Sequence, residues 1–79
     1  FLPLVNSEIF AQKSLADAER FFSIRNYESA LPLFLKAIEE GSKDGNAHYK
    51  AAVCYQKSVN LNEQIKAIPY YRYALEKIT

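Results

Sequence analysis

Apolar residues fall in four stretches with helical spacing, separated by short polar breaks. From Glu8 they sit at Ile9, Leu15, Ala18, Phe21 and Phe22, with Ala11 and Ala16 between them, which predicts a first helix over 7–24. Asn6 or Ser7 can cap it, and residues 1–6, apolar around Pro3, are expected as an extended lead-in. Arg25-Asn26 is a tight break. Asn26 is a good N-cap for a second helix, with Glu28 favourable in its first turn and Gly41 as its stop. Pro32 falls early inside this helix and removes one backbone bond. Residues 42–46 are polar and read as a turn. A third helix is expected over 47–58, a break over 59–62 with Asn60 or Asn62 as cap, and a fourth helix from Glu63 to the end. No β alternation competes, so the expected fold is all-α, four antiparallel helices in two hairpins.

The pattern repeats. The stretch Ala30-Leu31-Pro32-Leu33-Phe34-Leu35-Lys36-Ala37-Ile38-Glu39 returns 37 positions on as Ala67-Ile68-Pro69-Tyr70-Tyr71-Arg72-Tyr73-Ala74-Leu75-Glu76. Arg72 for Leu35 and Tyr73 for Lys36 are the poorest matches. The first and third helices correspond at a shorter offset. Ser14, Ala18 and Phe21 match His48, Ala52 and Tyr55, 34 positions on. Three extra residues must therefore lie between Tyr55 and Ala67, most simply around Val59–Asn62. A chain that repeats a helical hairpin is read first as a repeat array. It follows that Phe34 and Tyr71 should occupy equivalent buried sites.

Bulk properties narrow the function. Seventy-nine residues make one small domain, rich in apolar side chains, with six Tyr and five Phe. The formal net charge is +1 and the basic residues are dispersed, which argues against nucleic-acid and membrane-surface binding. The apolar runs are too short to span a bilayer, so no direct membrane insertion is expected. One cysteine makes no internal disulfide. His48 and Cys54 are the only residues that suggest catalysis. Six positions apart on one helix, they lie roughly 240° apart around its axis and cannot form a nucleophile–base pair. A lone histidine offers no metal cluster, and Gly41 and Gly45 are turn residues rather than a phosphate loop. No enzyme, cofactor or metal is expected.

The motif residues resemble the tetratricopeptide repeat. Ala18 and Ala52 stand at the small position where paired helices approach, with Phe21 and Tyr55 three residues on. Ala30 and Ala67 open the second helices, Phe34 and Tyr71 follow four later, and Ala37 and Ala74 three beyond those. The resemblance covers about residues 7–78, with repeats at about 7–41 and 46–79. Ser14 and His48 replace a frequent large aromatic, Asp17 and Ala51 a frequent leucine, and Ser42 a frequent closing proline. A Sel1-like repeat, with its longer internal loop, is the related alternative for the second unit. The wording of 26–34, 49–55 and 66–71 also resembles the repeat segments that open envelope proteins ending in an OmpA-like peptidoglycan-binding domain. Some of those serve secretion or gliding machinery.

The resemblance implies a TPR-like α-solenoid that binds a peptide or partner protein in a concave groove. That face would carry Gln12, Leu15, Glu19 and Phe22, then Asn46, Tyr49, Val53 and Gln56. Leu15 and Glu19 stand where the lysine and asparagine donors of a carboxylate clamp should begin, so no clamp is expected. A periplasmic or outer-membrane-associated scaffold module is implied, with a cytoplasmic setting otherwise. A chain beginning at Phe1 is then a trimmed fragment or a processed export product. The alternative reading is a structural spacer or oligomerisation module. The fourth helix carries more apolar residues than one stripe needs. Ile68, Leu75 and Ile78, together with one or more tyrosines of that helix, are therefore expected to contact a further repeat or another copy of this chain, with the lead-in around Leu2 and Leu4 expected to supply part of that cover.

Overall fold

The computed structural model describes the backbone of residues 2–78 and the side chains of residues 10–77. The fold is all-α. Among the described residues there are five helical segments: α1 (Leu2–Ser23), α2 (Tyr27–Glu39), α3 (Gly45–Gln56), α4 (Leu61–Ile65) and α5 (Ala67–Ile78). α1 and α2 form one antiparallel hairpin, with Phe22 near Tyr27 and Ser14 near Glu40. α3 and α5 form the other, with His48 against Tyr73 and Tyr55 against Tyr70. The hairpins meet where α2 packs on α3.

The chain stops determine these elements. α1 closes in a Schellman motif: the Asn26 N–H donates to the Phe21 carbonyl and the Arg25 N–H to that of Phe22, both at 2.9 Å. Arg25 holds the left-handed position at φ 62°. Asn26 then serves twice, since its side chain also caps α2 by accepting from the Ser29 N–H at 3.2 Å. α2 closes in the same motif, with Ser42 donating to Ala37, Gly41 to Ile38, and Gly41 at φ 110°. Asp44 caps α3 through the Asn46 N–H at 2.9 Å, and Asn60 caps α4 through the Asn62 N–H at 2.8 Å.

Three sequence expectations need correction. Residues 2–6 are helical rather than an extended lead-in, because Pro3 falls in the first turn, where a backbone N–H has no helical partner to lose. Asn6 and Ser7 are therefore inside α1 and not its cap. The side chains of Leu2, Leu4 and Ile78 lie outside the described residues. α3 begins two residues early, because Asp44 captures the cap position ahead of Gly45. The fourth helix is two pieces. The helix stops at Lys66 and restarts with Pro69 in the first turn of α5, where a missing N–H is tolerated, whereas the equivalent Pro32 sits inside an unbroken α2. The three extra residues are thus absorbed partly as helix: residues 57–60 break the chain, and α4 adds a turn before α5.

Alanine dominates the core. Ala18, Ala30, Ala37, Ala47, Ala51 and Ala52 are wholly buried, and Ala67 and Ala74 nearly so. Phe34 is the one large side chain, among those described, that is fully buried. It sits among Ala18, Ala30, Ala47, Ala51 and Cys54, with the Phe22 ring edge-on at 5.8 Å. Tyr71 does not match it. It is half-buried beside Ala52, Tyr55 and Ala67, and its hydroxyl donates to the Gln56 side chain. Phe34 packs in a cluster drawn from α1, α2 and α3, whereas Tyr71 packs at the edge of a smaller cluster of Ala52, Tyr55 and Ala67.

Two outcomes follow from these positions. Phe34→Ala costs about 3–5 kcal/mol in urea unfolding, the range for a buried aromatic truncation, and Tyr71→Ala costs clearly less. Arg25→Gly raises stability by about 1 kcal/mol, because it relieves a left-handed conformation that an L side chain resists. Loss of stability in that variant would mean that the Arg25 side chain outweighs the backbone strain.

Candidate protein-binding surface

The eight residues expected on a concave face do not stand equally open. On α1, Phe22 belongs to the core, edge-on to Tyr27 at 5.5 Å and to Phe34. Leu15 is half-buried against the same cluster. Gln12 is exposed and, with Leu15, lines a shallow cleft beside Gly41, Ser42 and Lys43. On α3, Asn46 and Gln56 are exposed, Val53 is half-buried, and Tyr49 is 45% exposed.

Two clusters tie these residues together. Lys50 reaches from α3 to α1, where its Nζ donates to both carboxylate oxygens of Glu19 at 2.7 and 2.9 Å. The same ammonium lies 5.5 Å from the centre of the Phe22 ring, a cation–π position. The ion pair thus joins the two helices that correspond at the 34-residue offset. The second cluster runs along α3 and α5: Tyr49 lies 5.7 Å from the Tyr71 ring, and Tyr71 in turn donates to Gln56. Burial and the nearby Tyr49 phenol both push the Tyr71 hydroxyl up from its usual pKa. Lys50, the lysine of this face, is occupied by Glu19 and half-buried.

His48 and Cys54 turn to opposite sides of α3. His48 is buried against α5, stacked on Tyr73 at 3.8 Å, and its Nδ1–H donates to the Asp44 carbonyl at 2.8 Å. Cys54, 4% exposed, faces α2 in the Phe34 cluster, and burial pushes its thiol up to about 11. Among the described residues no group of three His, Cys, Asp or Glu is placed to hold a metal ion, and no helix is long and apolar enough to cross a membrane.

Sequence reasoning missed a cleft of about 530 Å³ between the α1–α2 and α3–α4 turns. Arg25, Tyr27, Leu31, Cys54, Tyr55 and Lys57 are among its lining residues, and Lys57 Nζ lies 6.0 Å over the Tyr27 ring. Nothing in the spacing of these residues signals it, because it forms where two turns from different hairpins meet. Compared with known proteins, the chain matches no family model, no curated protein and no solved structure.

The Cys54 thiol sets a pH dependence. Its folded pKa lies above the ordinary value of 9.0, so folding favours the protonated form. Below pH 9 both states keep the proton and the thiol has no effect. Between pH 9 and about 11 the unfolded chain ionises first, and stability falls as pH rises. Burial of Tyr55 acts in the same direction at higher pH. Cys54→Ala flattens the fall between pH 9 and 11 in denaturant titrations. An unchanged slope would show that the tyrosines alone carry it.

Proposed function

We propose that this chain is a protein-interaction module, two TPR-like hairpins of an α-solenoid that hold a peptide or partner protein against the face shared by α1 and α3. The observation that carries this reading is the Lys50–Glu19 pair across the Phe22 ring, which fixes α1 and α3 side by side with Tyr49 open beside it. The chemistry of the open residues suits a peptide. Gln12, Asn46 and Gln56 carry amides that both donate and accept, as an extended backbone requires, and Tyr49 supplies aromatic contact area. The face does not suit a terminal carboxylate, because its lysine already holds Glu19.

The resemblance to the opening segments of OmpA-like envelope proteins supports a periplasmic or outer-membrane-associated scaffold, linked to secretion in some of those proteins. A spacer or oligomerisation role competes with this reading, and the exposed Ile68 on α5 favours a contact of that kind.

The test is capture of partners from a periplasmic extract by the wild-type chain and by Asn46→Ala/Tyr49→Ala. The double variant loses captured partners by about tenfold or more if the α1–α3 face carries binding, the effect of removing an interface anchor. Unaltered capture by a variant of unchanged stability would favour the spacer.

A further inference from the structure

The internal repeat shows which surface of α5 is unfinished. On α2, Leu31 and Leu35 are half-buried because the α3–α5 hairpin lies over them. Their counterparts 37 positions on are Ile68 and Arg72, one turn apart on α5. Ile68 is 53% exposed, and Arg72 is exposed too.

The opposite end of the molecule is finished. α3 meets α2 through a stripe of small residues, Ala47, Ala51 and Cys54, spaced as one helix face. The counterparts on α1, 34 positions earlier, are Lys13, Asp17 and Arg20. Arg20 pairs with Asp17 at 3.1 Å. A charged stripe cannot dock as the small-residue stripe does, so the outer face of α1 offers no such seam, whereas α5 keeps Ile68 open. The same comparison rules out head-to-tail stacking of copies. Of the alanines whose side chains are described, only Ala16 is exposed, so a second copy has no small-residue seam left to offer.

We propose that the Ile68–Arg72 face of α5 receives an amphipathic helix of a partner polypeptide, one with a small-residue seam and an acidic side chain opposite Arg72. The seam follows from what the equivalent face of α2 accepts. The acidic residue follows from Arg72: where α2 has Leu35, an approaching helix covers a guanidinium, and covering it without a carboxylate is costly. The proposal rests on the repeat correspondence and not on Tyr49 or the α1–α3 face.

The probe is a stapled helical peptide with the sequence of residues 44–57, whose seam is known to fit α2, in two forms: unchanged, and with Ala52→Glu. Ala52 belongs to the cluster on which Leu35 packs. Titrated into the ¹⁵N-labelled chain, the peptide is expected to shift amide signals of α5. Ile68→Asp, a change at an exposed site, weakens binding by about tenfold or more, while Tyr49→Ala leaves it unchanged. The Ala52→Glu peptide binds about threefold tighter than the unchanged one, and Arg72→Ala removes that advantage. No binding at millimolar peptide, or shifts confined to α2 or to the Tyr49 face, overturns the proposal. So does a concentration-dependent dimer in sedimentation that Ile68→Asp dissolves, because a second copy then covers the face.

Discussion

Close approach of helices along alanine is the constraint on which the structure depends. Ala18, Ala30, Ala47 and Ala51, from α1, α2 and α3, belong to one buried cluster, where each adds no more than a methyl group to its helix. Close-packed backbones leave room for a single large plug, and Phe34 fills it. The larger aromatics are pushed to the margins of this seam: Phe22, Tyr27, Tyr70 and Tyr71 are all half-buried there. The aromatic rings therefore face two ways, one side to the core and one to solvent. That placement is what supplies exposed aromatic surface without opening the core.

The connections are as tight as the packing. Three residues separate α1 from α2, and Asn26 both closes the first helix and opens the second. The tightness has a cost, since Arg25 takes a left-handed conformation that glycine takes in the corresponding turn after α2. The second hairpin is looser. The helix is interrupted at Lys66, ahead of Pro69, and the short α4 turns the chain before α5 begins. The looser turn also opens the cleft beside Cys54 and Tyr55. Pro32 holds the equivalent place inside the unbroken α2, so the longer connection of the second hairpin, and not the proline, makes the two repeats differ there.

The settings of a few charged side chains bear on the proposed binding role. Lys50 neutralises Glu19 across the two helices whose shared face is the candidate peptide site, and its stem and ammonium lie on Phe22. That pair bridges α1 and α3 and leaves the lysine engaged with Glu19. The Asp17–Arg20 pair keeps the outer side of α1 in water. Arg72 has the opposite setting, exposed on α5 beside the exposed Ile68, on the face proposed to receive a partner helix.

The sequence alone determined that the chain is helical, the caps at Asn26 and Gly41, Asn60 as one of two candidate caps, and the small positions Ala18, Ala30, Ala37, Ala52, Ala67 and Ala74, because these depend on local backbone chemistry and on a repeat that can be read along the chain. It also separated His48 from Cys54, since helical spacing fixes their directions. It misjudged residues 2–6, where a proline in a first turn is compatible with helix, and the fourth helix, which breaks at Lys66 ahead of Pro69 although Pro32 sits inside an unbroken α2. Tertiary structure decided what no spacing encodes. Phe34 and Tyr71 occupy the same place in the repeat, yet one is fully buried and the other only half-buried. Glu19 and Lys50, thirty-one residues apart, meet only because α1 and α3 lie on the same side of the fold. Burial and pairing across helices are properties of the assembled packing, so the exposure of Tyr49 and Ile68 became visible only once the hairpins were in place.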